Sequence, residues 1–191
     1  MSEETRISWS GWSDETVRIP GAGIGTPLPL QVQGGFSSHF SFQPVRSGAH
    51  DNHLSIELVT THGRTACRVV LPGDYDSLGV RRLRVRDGAG GFHRWHARLV
   101  DPNSLPELPS QVARGKGTET FGYFEAAPYY EYVRVLHYEF EDYGTVTYCP
   151  TTGGDPVRAL ASDARRKGVL RLPRHGYVTV SSDGKWEVST K

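Results

Sequence analysis

The sequence predicts an all-β protein made of two tandem antiparallel β-sandwich modules, jelly-roll-like in character. Three observations carry this. Apolar and polar residues alternate with period two at Phe40-Ser41-Phe42, Leu54-Ser55-Ile56-Glu57-Leu58, Leu83-Arg84-Val85, Tyr177-Val178-Thr179-Val180 and Lys185-Trp186-Glu187-Val188. Such alternation sends one set of side chains into a core and the other into water. Turn residues punctuate these segments about every 10–15 residues, as in a sandwich or barrel. Gly and Pro make up about 18% of the chain against a typical ~12%, in keeping with many tight turns.

Taken in chain order, the first module spans 14–101. Gly21-Ala22-Gly23-Ile24-Gly25 has no strand before it and no helix after it, so it fails as a dinucleotide loop and reads as a turn. Pro72-Gly73-Asp74, Asp87-Gly88 and Gly90-Gly91 separate strand candidates. Residues 102–111 follow, with Pro102, Pro106 and Pro109 close together. Proline cannot donate to a sheet ladder, so this stretch reads as an extended linker. The second module spans 112–190. Arg114-Gly115-Lys116-Gly117-Thr118 lacks the spacing of a phosphate-binding loop and reads as a turn. Val133–Phe140 is apolar on both faces at its centre, as an inner strand is. Asp155 to Lys167, with Pro156 near its start and Arg165-Arg166-Lys167 at its end, reads as a short turn or helix between strands.

The two modules end alike. The first reads Leu71-Pro72, an alternating strand, Asp87-Gly88, then Trp95; the second reads Leu172-Pro173, an alternating strand, Asp183-Gly184, then Trp186. Asp-Gly between alternating strands signals a hairpin, because a type I′ turn needs positive φ. The Trp that follows fills much of a small core. A two-fold internal repeat is the reading these endings support.

The stretch from Gly115-Lys116-Gly117-Thr118 through Val133–Phe140 to Asp183-Gly184-Lys185-Trp186 resembles a small β-sandwich of actinobacterial proteins, whose function is unassigned. That family runs from a Gly-x-Gly-Ser/Thr start to a Gly-x-Trp closing hairpin. Leu71-Pro72-Gly73-Asp74-Tyr75 is more loosely similar to a strand pair of the pre-peptidase C-terminal jelly rolls. The resemblance implies a non-catalytic β-sandwich and brings no ligand residues. Where the family carries Ser-Asn after its central His-containing strand, this chain has Tyr138-Glu139-Phe140-Glu141-Asp142-Tyr143.

Charge excludes some classes. The net charge is +1, from 22 basic and 21 acidic residues. That gives no general pull toward a phosphate backbone and argues against nucleic acid. No run approaches the ~20 apolar residues of a membrane span. The acidic, polar start lacks a secretory leader, so a cytoplasmic setting is expected. Eighteen Arg against four Lys suggests a GC-rich bacterial source. Cys67 and Cys149 form neither a disulfide framework nor a zinc pattern.

Catalytic motifs are missing: there is no Gly-x-Ser-x-Gly and no His-Glu-x-x-His. Six of eight histidines fall in the first half, and His50, His53, His93 and His96 are the candidate zinc ligands. Residues i and i+3 of a strand face opposite sides, so His93 and His96 cannot clamp one ion without a bulge. Asp74 with Asp76, and Glu139 with Glu141 and Asp142, are candidate calcium ligands outside any EF-hand pattern. Glu139 and Glu141, two apart on a strand, would stand ~7 Å apart, inside the ~6.5–9.5 Å range of an inverting glycosidase. Any strand offers that spacing. Arg82, Arg84 and Arg86 share one strand face, a common way to blunt a sheet edge.

Tyrosines are the remaining clue. Tyr123, Tyr129, Tyr132, Tyr138 and Tyr143 cluster with Glu139 and Glu141. Exposed Tyr beside carboxylates suits a protein interface or a sugar-stacking face. The expectation is therefore a non-enzymatic binding or assembly module for a protein partner or glycan, with no resident cofactor. The alternative is a metal-dependent protein or hydrolase, zinc or calcium, using the histidine set. Self-association into a homo-oligomer through open sheet edges is a third expectation.

Overall fold

The computed structural model is all-β; among the described residues the strands pair antiparallel, with one 3₁₀ turn at Pro102–Ser104 and an isolated parallel bridge between Glu107 and Gly122. It describes residues 7–35, 39–46, 57–62, 65–83, 94–123, 134–152, 155–161, 166–173 and 175–191. Among them no helix is long and apolar enough to cross a membrane. The chain divides into two compact units, Met1–Asp101 and Pro102–Lys191.

The first unit contains β1 (Ser8–Gly11), β2 (Glu15–Arg18), β3 (Leu28–Gln33), β4 (His39–Val45), β5 (Val59–His62), β6 (Ala66–Leu71), β7 (Ser77–Leu83) and β8 (Trp95–Leu99). They form two four-stranded sheets, β1-β8-β3-β6 and β2-β7-β4-β5. Strand pairs nest: β1 with β8, β2 with β7, β3 with β6 and β4 with β5. One long antiparallel ribbon folded over on itself gives this order, which is a jelly roll. Leu30, Val32, Phe40, Phe42, Val69, Leu71, Leu78, Val80 and Trp95 fill the space between the sheets. Gly21, Gly23 and Gly25 all have φ near +80°, so the glycine-rich segment is a turn, as its sequence implies.

The second unit contains β9 (Ala113–Tyr123), β10 (Arg134–Phe140), β11 (Gly144–Pro150), β12 (Val157–Ala161), β13 (Lys167–Leu172) and β14 (Gly176–Thr190). Pairs nest again: β9 with β14, β10 with β13 and β11 with β12. Strand β14 is the spine. Along one edge it pairs with β9 through most of its length. Along the other, Gly176–Ser182 pairs with β11 and Trp186–Thr190 pairs with β10.

Several expectations change here. Asp183-Gly184 is not a closing hairpin. It is a bulge inside β14, where the register with β9 shifts between Ser182 and Lys185. The tertiary reason is that the strand continues into a second partner, so the Asp-Gly pair bends it rather than reversing it. Opposite the bulge, Gly117 has φ +78°, so the predicted turn at 114–118 is a bend within β9. Val157–Ala161 is a strand and not a helix, because pairing with β11 outweighs its weak helical signals. Residues 102–111 do not read as a bare linker. Leu105 and Leu108 are buried, and Leu108 N–H donates to the Gly122 carbonyl while Gly122 N–H donates to that of Pro106. Asp87-Gly88, Arg84 and Arg86 lie outside the described residues.

The tryptophans that end the two units occupy equivalent places. Trp95 on β8 lies opposite Gly11 on β1; Trp186 on β14 lies opposite Gly115 on β9. Trp95 Nε1 donates to the Ser13 carbonyl and Trp186 Nε1 to that of Gly117, each two residues past the glycine. Each indole meets a Phe edge-on, Phe42 at 6.5 Å and Phe121 at 6.1 Å between centroids. A Cβ on Gly11 would come within 2.7 Å of the Trp95 ring, and one on Gly115 within 2.2 Å of Trp186. The indole thus covers a bare stretch of neighbouring backbone, and only glycine admits it.

Candidate functional site

In β10, inward and outward residues alternate. Leu136 and Phe140 are buried in the core, with Tyr138 packed against it. The Tyr138 ring stands 5.6 Å from that of Phe140 and lies over Gly168, where a Cβ would come within 2.3 Å of the hydroxyl. Tyr138 therefore faces the core side, and Glu139 the opposite side. The two do not form one aromatic and acidic face, because neighbours on a strand point apart.

Glu139 belongs to a different array. Lys167, Glu139, Glu187 and Arg114 stand in one row across β13, β10, β14 and β9. Lys167 pairs with Glu139 at 2.8 Å and Arg114 with Glu187 at 2.8 Å. Strand spacing of ~4.8 Å places the two carboxylates side by side, and each flanking cation relieves one of them. One row away, Lys116 lies directly opposite Lys185. In the other direction Val135 lies opposite Arg171, and Val135 and Lys191 exchange backbone hydrogen bonds. Lys116, Lys185, Arg171 and Lys191 are exposed. Among the described residues these four make no ion pair. Between the rows sit His137, half-buried, and Val169, 57% exposed.

Glu141 lies beyond the strand, in the corner Glu141-Asp142-Tyr143 that joins β10 to β11. Its N–H donates to the Lys185 carbonyl and its carboxylate accepts from Lys185 N–H at 3.2 Å. Arg166 donates to its carbonyl, and Ser182 Oγ donates to that of Tyr143. The corner plugs into the β14 bulge, so Glu141 acts on the backbone and does not pair with Glu139 as a catalytic carboxylate. Tyr143 is 57% exposed at this corner. Of Tyr123, at the end of β9, only the backbone is described, and Tyr129 and Tyr132 lie outside the described residues.

His50, His53 and His93 also lie outside the described residues. His96 is exposed on β8, opposite Ser10 and Gln33. Partial burial, and then the Arg94 guanidinium, push its pKa below the ordinary value and favour the neutral imidazole. Among the described residues no group of three or more His, Cys, Asp and Glu is placed to hold a metal ion. Both cysteines are buried and neither is in a disulfide, and burial pushes the Cys149 thiol up to about 12. Near the chain start, Trp12 is 55% exposed with the Arg94 guanidinium 5.5 Å above its ring, whereas Trp9 packs against the core of its unit.

The sequence reading missed Lys116, Lys167, Lys185, Arg171 and Lys191 as a group. They come from three separate strands and one residue past a strand end, and net charge hides them. Their rarity was the available signal: the chain has only four lysines, and all four lie on this one face.

No family model matches the chain, and no curated protein matches it. Among solved structures, it is similar to a regulatory subunit of a cAMP-independent protein kinase A from Trypanosoma cruzi bound to guanosine. The likeness has 9% identity and a TM-score of 0.23, covering 92% of this chain and 70% of that one. A likeness at that TM-score bears on neither fold nor function.

Proposed function

We propose that the protein is a non-enzymatic binding or assembly module that holds a macromolecular partner, a protein or a glycan. The observation that carries this is the register-fixed array on the outward side of β13-β10-β14-β9. Backbone pairing on both sides of β10 and β14 holds its charged side chains at set spacings, and exposed Tyr143 marks the adjoining corner. A charged surface with its spacings set by strand register suits recognition of another surface. Cys67 and Cys149, both buried and neither in a disulfide, fit a reducing, cytoplasmic setting.

The test is binding of the purified full chain to a panel of defined glycans and of acidic, basic and neutral polypeptides. At least one class is expected to bind, and Tyr143→Ala combined with Glu139→Gln is expected to change its affinity without moving the unfolding midpoint. A chain that binds no member of the panel would overturn the proposal. Release of bound zinc or calcium on purification in chelator, with loss of fold, would favour the metal-dependent alternative.

A further inference from the structure

A protein with 18 Arg and four Lys has placed every lysine on one face of one sheet. Lys116 and Lys185 are direct cross-strand neighbours, an arrangement that costs stability in the free protein because like charges repel at that distance. Three further cations, Arg171, Lys191 and Lys167, extend the field, and Arg114 completes it. Only Lys167 and Arg114 have carboxylate partners within the array. The unit holding this face is neutral by count, with 11 basic and 11 acidic residues over 102–191. The fold has sorted its charges.

We infer that this lysine face docks an acidic surface of a protein partner, an inference that rests on the binding-module reading above. Three observations choose protein over a phosphate or sulfate polymer. First, Glu139 and Glu187 sit in the middle of the face and would repel a uniformly charged polyanion laid across it, whereas a protein surface can set its carboxylates opposite the lysines alone. Second, Val169 stands 57% exposed among these charges, an apolar contact that a protein surface can match and a phosphate or sulfate polymer cannot. Third, the outward residues that separate the charges are Val135, His137, Ser189 and Val169, with no Phe, Tyr or Trp on which bases would stack and the His137 ring half-buried.

Anisotropy of a labelled peptide in which glutamates alternate with neutral residues, of heparin and of a short DNA duplex, each titrated with the full chain, tests the inference. The spaced-glutamate peptide is expected to bind most tightly, with affinity falling as salt rises. The variant Lys116→Gln/Lys185→Gln is expected to weaken it about tenfold, while Arg18→Gln on the first unit leaves it unchanged. Lys185→Glu is expected to lose the probe and also to raise the thermal midpoint of the free protein, a readout that a purely structural lysine would not give. Tighter binding of heparin or DNA overturns the acidic-protein assignment and leaves the binding-module reading standing. Equal binding of the spaced-glutamate peptide by the double variant and the wild type overturns the assignment of this face. Failure to bind these three probes overturns the inference, and failure to bind the wider panel as well overturns the reading beneath it.

Discussion

Gly115 illustrates how much one residue decides. Its missing side chain is the seat of the Trp186 indole, and an added Cβ would stand 2.2 Å from the ring. Gly115→Ala is therefore expected to cost about 1–3 kcal/mol through overpacking, read as a lower urea midpoint with tryptophan fluorescence. Gly11→Ala is expected to act in the same direction through Trp95. Cys149 is a second case. Burial holds its thiol protonated, up to about 12 from an ordinary value of 9.0. The native protein is expected to resist alkylation at mildly alkaline pH and to react once unfolded. The raised folded-state pKa also sets a sign. Above 9.0 the unfolded thiol loses its proton while the folded one keeps it, so stability is lost as pH rises toward about 12. Tyr177, raised by the same cause, adds to the loss over the alkaline range. Urea midpoints measured from neutral to alkaline pH check this.

Strand β14 shows the same economy at the level of an element. Its alternation on both sides of Asp183-Gly184 was legible in the sequence, and so was the inward direction of Trp186. The hairpin was not, because Asp-Gly serves a reversal and a bulge equally well and only the strand's partners choose between them. Here β11 and β10 take successive halves of one edge, and the Glu141 corner enters the gap. Breaking the Lys116/Lys185 opposition with Lys185→Glu is expected to raise stability by about 0.2–1 kcal/mol, checked by thermal unfolding at low salt. The two exposed ion pairs of the neighbouring row, Lys167–Glu139 and Arg114–Glu187, contribute little stability for the same reason of solvent screening. Their value is in holding the array's geometry.

At the scale of the whole molecule, the chain uses one device twice: an antiparallel ribbon folded over and closed by a tryptophan seated on glycine. Four nested pairs make the first unit and three the second. The proline-rich stretch after Asp101 contributes Leu108 to the core of the second unit. Leu108→Ala in the full chain is expected to destabilise that unit by about 2–5 kcal/mol, which calorimetry of variant and wild type would show. An unstructured linker would predict no change.

By itself the sequence determined the all-β class, the two closing tryptophans and the glycine-rich turn at 21–25, because alternation and glycine content act locally. The partnership of Tyr138 and Glu139 could not be judged without knowing that β10 has a core on one side and water on the other. The pairing of Glu141 with Glu139 on one strand face failed because Glu141 lies beyond the strand and bonds to a bulge more than forty residues away in β14. The lysine face was decided by tertiary structure alone. Lys116, Lys167, Lys185 and Lys191 are scattered over some seventy-five positions of a neutral chain. They become one charged surface only because backbone pairing sets β13, β10, β14 and β9 side by side in a single register.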